Sequence, residues 1–261
     1  MQDHTRMSES VERMAREIAA GCGGRLHGFW LYGSVVLNDF RLGWSDIDFL
    51  ALTDAPITEE QAERLVPLRQ TLSERFTDDP YYRCFEGVIA NLEEYRAGAY
   101  TRLVYWGTSG QRVTNRYAPD VFSRYELAKY GKLVCGKDES GLFTIPKRQE
   151  LTDAIRRHYD AIRKYAAQTD ESLYSCGWLL DLARCVYTLR NGDVIAKTRA
   201  GEWALRERIF PDEDALRRTL TIRRDPLAYR DCEDTKLWLR ELGPTVQRCA
   251  DVLEAELARC G

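Results

Sequence analysis

The sequence predicts an α/β domain over residues 1–148 followed by an all-helical domain over residues 149–261. Three observations predict it. In the first half, short apolar runs rich in β-branched and aromatic residues alternate with segments of helical period. From Leu151 onward the apolar residues recur at helical spacing only. Between the halves lies "GLFTIPKRQ" (141–149), whose glycine and proline suit a linker.

The elements follow in chain order. Val11, Met14 and Ile18 predict a helix over 9–20. "LHGFWLYG" (26–33) is a strand ending in a turn, and "IDFLALT" (47–53) is a second strand. "TEEQ" (58–61) matches a capping box, and Leu65, Leu68, Leu72 and Phe76 continue that helix. "RCFEGVIANLEEY" (83–95) gives a third strand with Glu86, Val88 and Ala90 on one face. "GAYTRLVYWGTSGQRVTNRYAPD" (98–120) reads as loop with at most one short strand. "FSRYELAKYGKLVCGKD" (122–138) reads as a helix, a glycine break and a short strand. In the second half Leu151, Ile155, Tyr159, Ile162 and Tyr165 form one stripe. Residues 173–190 are apolar nearly all round, which suits the central helix of a bundle. A turn at "RNGD" (190–193), a helix around 197–209, a charged segment and a last helix from Pro244 complete the chain.

Composition narrows the function classes. Hydrophobic residues make up 44% and aromatics 11%, enough for a packed core. Charged residues reach 30% with a net charge of −3, which argues against a polybasic nucleic-acid binder. No run of about 18 apolar residues is present, so no membrane span is expected. The opening "MQDHTRMSESVERMAREIAAG" does not read as a signal peptide, so a cytoplasmic setting is expected. The eight cysteines (Cys22, Cys84, Cys135, Cys176, Cys185, Cys232, Cys249, Cys260) form no C-x-x-C pair, and His4, His27 and His158 lie far from any such pair. Reduced thiols and no zinc site are therefore expected.

The chemistry-bearing stretch is "LYGSVVLNDFRLGWSDIDFLAL" (31–52). Residues two apart in a strand point the same way, so Asp46 and Asp48 are neighbours on one face. Two like charges side by side are unfavourable unless a cation sits between them. Magnesium suits such a pair, since it takes one or two carboxylates plus substrate phosphates. Glu86 interrupts an otherwise apolar strand and supplies a third carboxylate if that strand pairs beside the second. Three carboxylates around one or two metal ions suit phosphoryl or nucleotidyl transfer. Glu86 then ligates a metal, acts as general base, or does both. Gly33 lets the backbone approach a phosphate, and the Ser34 and Ser45 hydroxyls can donate to it.

This stretch resembles the signature of the nucleotidyltransferase superfamily related to DNA polymerase beta. The closer resemblance is to aminoglycoside nucleotidyltransferases of the streptomycin/spectinomycin adenylyltransferase type. "LARCVYTLRNGDVIAKTRAGEWAL" (182–205) and "YELAKYGKLVCGKD" (125–138) carry it further along the chain. The resemblance implies an α/β (α+β) nucleotidyltransferase domain with a mixed sheet, followed by an all-α helical-bundle domain. It implies transfer of AMP from ATP, with two Mg2+ ions, to a hydroxyl of an aminoglycoside or aminocyclitol, conferring resistance. Asp46 and Asp48 match its metal ligands and Glu86 its base and metal ligand. Gly33, Ser34, Ser45 and Lys197 match its nucleotide-binding positions, Lys197 being the helical-domain lysine that reaches the ATP phosphates. Trp106 and Asp120 fall near substrate positions, with core packing equally open for Trp106. Arg184 matches a central-helix arginine, as an interdomain ion pair or a substrate contact. One departure stands out. Where the family has an acidic drug-recognising residue, this chain has Tyr174, with Glu171 three residues away. A different small-molecule or protein acceptor, and a non-catalytic antitoxin-like interaction protein, are the alternatives. The expected state is a monomer or weak dimer, without nucleic-acid or membrane partners.

Overall fold

The computed structural model describes residues 2–139 and 141–259, the side chains of residues 2–4 excepted. The chain divides into two compact units, but not by one cut at 148/149. The first comprises Met1–Val36, Ser45–Pro119 and Glu126–Ile145; the second comprises Leu37–Trp44, Asp120–Tyr125 and Pro146–Gly261.

The first unit runs α1 (Gln2–Gly21), β1 (Leu26–Leu31), β2 (Ile47–Thr53), α2 (Glu59–Leu65), α3 (Leu68–Arg75), β3 (Phe85–Asn91), α4 (Leu92–Ala97), β4 (Leu103–Gly107) and β5 (Gly110–Thr114). Then come α5 (Val121–Tyr130), which begins in the second unit, and β6 (Lys132–Gly136). The six strands form one sheet in the order β5-β4-β3-β2-β1-β6. Only β2 and β3 pair in parallel, so the sheet is mixed. Phe29, Phe49, Phe85 and Trp106 bury one face of it. Trp30, Leu50, Leu52, Val88, Ala90 and Leu127 pack on the other.

Local chemistry accounts for these elements. The Thr58 side chain accepts from the Gln61 N–H while Gln61 reaches back to the Thr58 N–H, the expected capping box. The helix expected to run on to Phe76 is broken in two, because Pro67 has no N–H to continue the ladder. Residues 98–120 correct the reading of that stretch as loop. Leu103–Gly107 and Gly110–Thr114 form a hairpin around the two-residue turn Thr108-Ser109.

The second unit is helical: α6 (Arg148–Tyr165), α7 (Tyr174–Asn191), α8 (Lys197–Arg206), α9 (Glu213–Arg224), α10 (Pro226–Tyr229), α11 (Glu233–Arg240) and α12 (Gly243–Arg259). The central α7 buries residues on most of its surface, including Leu179, Leu180, Leu182, Ala183 and Val186. It ends at Gly192, whose φ of +69° is a conformation glycine adopts freely. The charged segment after residue 209 holds three helices that its composition conceals. In α9 the buried side is Leu216, Thr219, Leu220, Ile222 and Arg223. The buried arginine has a partner from far upstream. Arg223 Nη2 lies 2.7 Å from Asp39 Oδ2, and Asp39 also accepts the Thr198 N–H at 3.2 Å. This pair explains why Leu37–Trp44 belongs to the helical unit.

The seven described cysteines are free thiols, and Cys260 lies outside the described residues, as does the side chain of His4. Among the described residues no helix is long and apolar enough to cross a membrane.

Candidate active site

The acidic site is built where β2 begins. β2 and β3 run parallel with Asp48 opposite Glu86, and in-register partners in a sheet share a face. Asp46 stands two residues before Asp48. The turn after β1 closes the arrangement from the side. The Tyr32 N–H donates to the Asp48 carbonyl at 3.1 Å, and Ser34 Oγ donates to the Asp46 carbonyl at 3.1 Å. Gly33 sits between them with φ +68°. A Cβ there would lie 2.1 Å from Asp48 Oδ2, so any other residue would displace the carboxylate or the turn. Ser45, next to Asp46, is buried. Gly33, Ser34, Ser45, Asp46, Asp48 and Glu86 thus gather at one edge of the first unit.

Electrostatics at this edge suit a cation. Burial pushes the Glu86 carboxyl up from its ordinary value, and the neighbouring Asp46 charge pushes it the same way. Arg69 and a backbone N–H from Thr108 act in the opposite direction. Arg69 is a residue the sequence reading missed. It lies in the first turn of α3, donates from Nη1 to the Phe85 carbonyl at 2.7 Å, and feels both Glu86 and Asp46. Nothing in a single sequence marks it, because its approach to the carboxylates depends on how α3 packs beside β3. The donor set of half-buried carboxylates with mutual repulsion fits a hard divalent cation such as Mg2+. Among the described residues no three His, Cys, Asp or Glu side chains are grouped as a centre able to hold a metal ion. A site completed by substrate phosphates does not need one.

Trp106 takes the core alternative. Its partner in the β3–β4 register is Gly87, one residue from Glu86, so it points to the opposite sheet face. It is fully buried, meets Phe49 edge-on at 5.4 Å, and donates its indole N–H to the Leu65 carbonyl at 3.2 Å. No surface of it is left for a drug to stack on.

The remaining candidates belong to the second unit. Lys197 opens α8, and its ammonium lies 2.8 Å from Asp181 Oδ1 on α7. Arg184 lies 3.6 Å and His158 3.9 Å from the same carboxylate. Burial alone would raise the Asp181 carboxyl, but Lys197, Arg184 and His158 outweigh it and hold it at about 2. Burial lowers His158 against the pull of Asp181. Arg184 also lies over the Phe122 ring, 4.9 Å from its centroid. Asp120 is exposed and caps α5 by accepting from the Ser123 N–H at 3.0 Å. Tyr174, 66% exposed, lines a cleft of about 340 Å³ with Trp44, Glu171, Arg230 and Asp231. Glu171 lies 3.5 Å from Arg240.

Comparison with known proteins adds two findings. Residues 142–253 match the family model of the aminoglycoside adenylyltransferase C-terminal domain. The fold is similar to that of the spectinomycin adenyltransferase AAD(9) from Enterococcus faecialis, whose crystal structure was determined with ATP and spectinomycin. That likeness has a TM-score of 0.56 and 18% sequence identity, over 90% of this chain and 97% of the other. No curated protein sequence matches the chain.

Proposed function

We propose that the chain transfers AMP from ATP to a hydroxyl of an aminoglycoside or aminocyclitol and so confers resistance. The observation that carries the proposal is the in-register pairing of Asp48 with Glu86, closed by a glycine whose replacement would displace the Asp48 carboxylate or the turn. The C-terminal domain match supports the acceptor class.

Each residue then has a task. Glu86 takes the proton of the acceptor hydroxyl, and its raised affinity for protons suits a general base. The acceptor oxygen bonds to the α-phosphorus, the bridging bond to the β-phosphate breaks, and pyrophosphate departs. Asp46 and Asp48 are the residues that would hold Mg2+, which when bound neutralises charge developing on the phosphates. The Gly33 backbone and the Ser45 hydroxyl would face phosphate oxygens, and Ser34 would join them by giving up its hydrogen bond to the Asp46 carbonyl. Lys197 would offer its ammonium to a nucleotide phosphate, as a compact mobile charge. Arg69 restrains Glu86 and Asp46, so that both carboxylates keep their places before the cation arrives.

Tyr174 presents a phenol where the resembling enzymes place a carboxylate, while Glu171 and Asp231 line the same cleft and can attract a cationic acceptor. A different small-molecule acceptor is therefore the second reading.

The test is pyrophosphate release with ATP and Mg2+ across streptomycin, spectinomycin, other aminoglycosides and a lincosamide, with mass spectrometry of the products. The expected result is one AMP added to a drug, and loss of that product in Asp48→Asn. Tight ATP·Mg binding without any drug product moves the search to other acceptors. An Asp48→Asn variant with full turnover overturns the metal-site assignment.

A further inference from the structure

We propose that Asp181 is a built-in counter-ion that competes with polyphosphate for the Lys197 ammonium. The inference rests on the reading of Lys197 as a polyphosphate contact and concerns how that contact is regulated.

The geometry is specific. Asp181 lies on the buried face of α7, and its carboxylate meets Lys197 Nζ at 2.8 Å. The Asp181 side chain is 12% exposed and that of Lys197 is 30% exposed, so solvent and ligand reach the pair from the lysine side. Arg184 adds a second fixed cation 3.6 Å away, and His158 approaches to 3.9 Å. Two permanent cations therefore share one carboxylate. Lys197 is the mobile member, because Arg184 is backed by the Phe122 ring.

An anion arriving at Lys197 meets an ammonium already paired. It must replace a charge-assisted contact with its own, and the net gain is smaller than for a bare lysine. The same competition acts on the leaving group. When pyrophosphate has formed, the carboxylate is ready to take the ammonium back, which favours release. Without Asp181, the Lys197 ammonium loses the carboxylate that faces it at 2.8 Å, and polyphosphate competes for it unopposed by that charge. The arrangement trades ground-state affinity for release of product, a step that limits turnover in many enzymes.

The test is isothermal titration calorimetry of the full chain with inorganic pyrophosphate, comparing wild type with Lys197→Met, Asp181→Asn and Asp181→Glu. Lys197→Met is expected to weaken binding. Asp181→Asn is expected to tighten it on the order of tenfold, about the size of one charge-assisted contact. Asp181→Glu, which keeps the charge, returns affinity toward wild type. In turnover, Asp181→Asn lowers the KM for ATP and lowers kcat with it, a pairing that loss of structure does not produce. If Lys197→Met weakens binding while Asp181→Asn binds unchanged or more weakly, the counter-ion inference falls and the reading of Lys197 stands. If Lys197→Met binds pyrophosphate as wild type does, both fall. Asp181→Ser serves as a second uncharged variant should Asp181→Asn not fold.

Discussion

Gly33→Ala is the smallest change that asks whether the acidic site is built as described. The added Cβ would lie 2.1 Å from Asp48 Oδ2 and 2.9 Å from its Cγ. An ordinary contact needs more than about 3 Å, so the carboxylate or the turn must give way by roughly 1 Å. A displacement of that size at a reacting centre lowers turnover by about a hundredfold. The left-handed backbone at Gly33, φ +68°, adds about 1–2 kcal/mol of strain for any residue with a Cβ. The two effects separate with a second glycine. Gly98 has nearly the same φ, +63°, yet a Cβ there meets nothing within 4 Å. Gly98→Ala should therefore show a similar thermal shift of a few degrees and keep wild-type turnover. Melting curves and pyrophosphate release on both variants are the assay. Full turnover in Gly33→Ala, or an equal loss in Gly98→Ala, would refute the reasoning.

Other outcomes follow from the same geometry. Glu86→Gln should lower turnover at least about a hundredfold and yet stabilise the ligand-free protein at neutral pH. The sign follows from the raised carboxyl: its contribution to stability is present below the unfolded value of 4.5 and lost as pH rises through the folded one, so removing the charge helps only above that range. Chemical denaturation at pH 7 and pH 4 checks it, and a destabilised variant at pH 7 contradicts it. Asp181 has the opposite sign. Its carboxyl is held at about 2 against an ordinary 3.8, so its contribution is complete above that ordinary value and is lost as pH falls toward 2. Acid unfolding of Asp181→Asn should accordingly converge with wild type at the acid end. Arg223→Met leaves the buried Asp39 carboxylate without its guanidinium and should cost about 3–5 kcal/mol, part of it regained in Asp39→Asn/Arg223→Met. Additive losses in the double variant would deny the pairing.

The legible parts of the chain are those whose signal is local. Strand β2 was readable as "IDFLALT" because β-branched and aromatic residues follow a pair of carboxylates without a turn residue. The Thr58–Gln61 capping box needs only four residues to declare itself. The β4–β5 hairpin was hidden by its own turn, since the glycines at 107 and 110 frame a tight two-residue connection that also reads as open loop. The helices after residue 209 were hidden by charge. Arg223 counts as a polar surface residue until its partner 184 positions away is known. Arg69 was hidden for the same reason, its meaning lying in the packing of α3 on β3. Trp106 shows the reverse case: the resemblance and the core both claim it, and strand register decides.

The pairing of Asp39 with Arg223 has a consequence for how the chain is made. A ribosome delivers Gly33, Asp46 and Asp48 early, while α9 emerges some 180 residues later. Until then the segment between Ser34 and Asp46 has no home for its carboxylate, and the acidic edge is tethered to an unfinished excursion. The Leu37–Trp44 segment would therefore stay unclasped until α9 exists. A nascent or prematurely terminated chain would hold Asp46 and Asp48 without the clasp that fixes the loop preceding them.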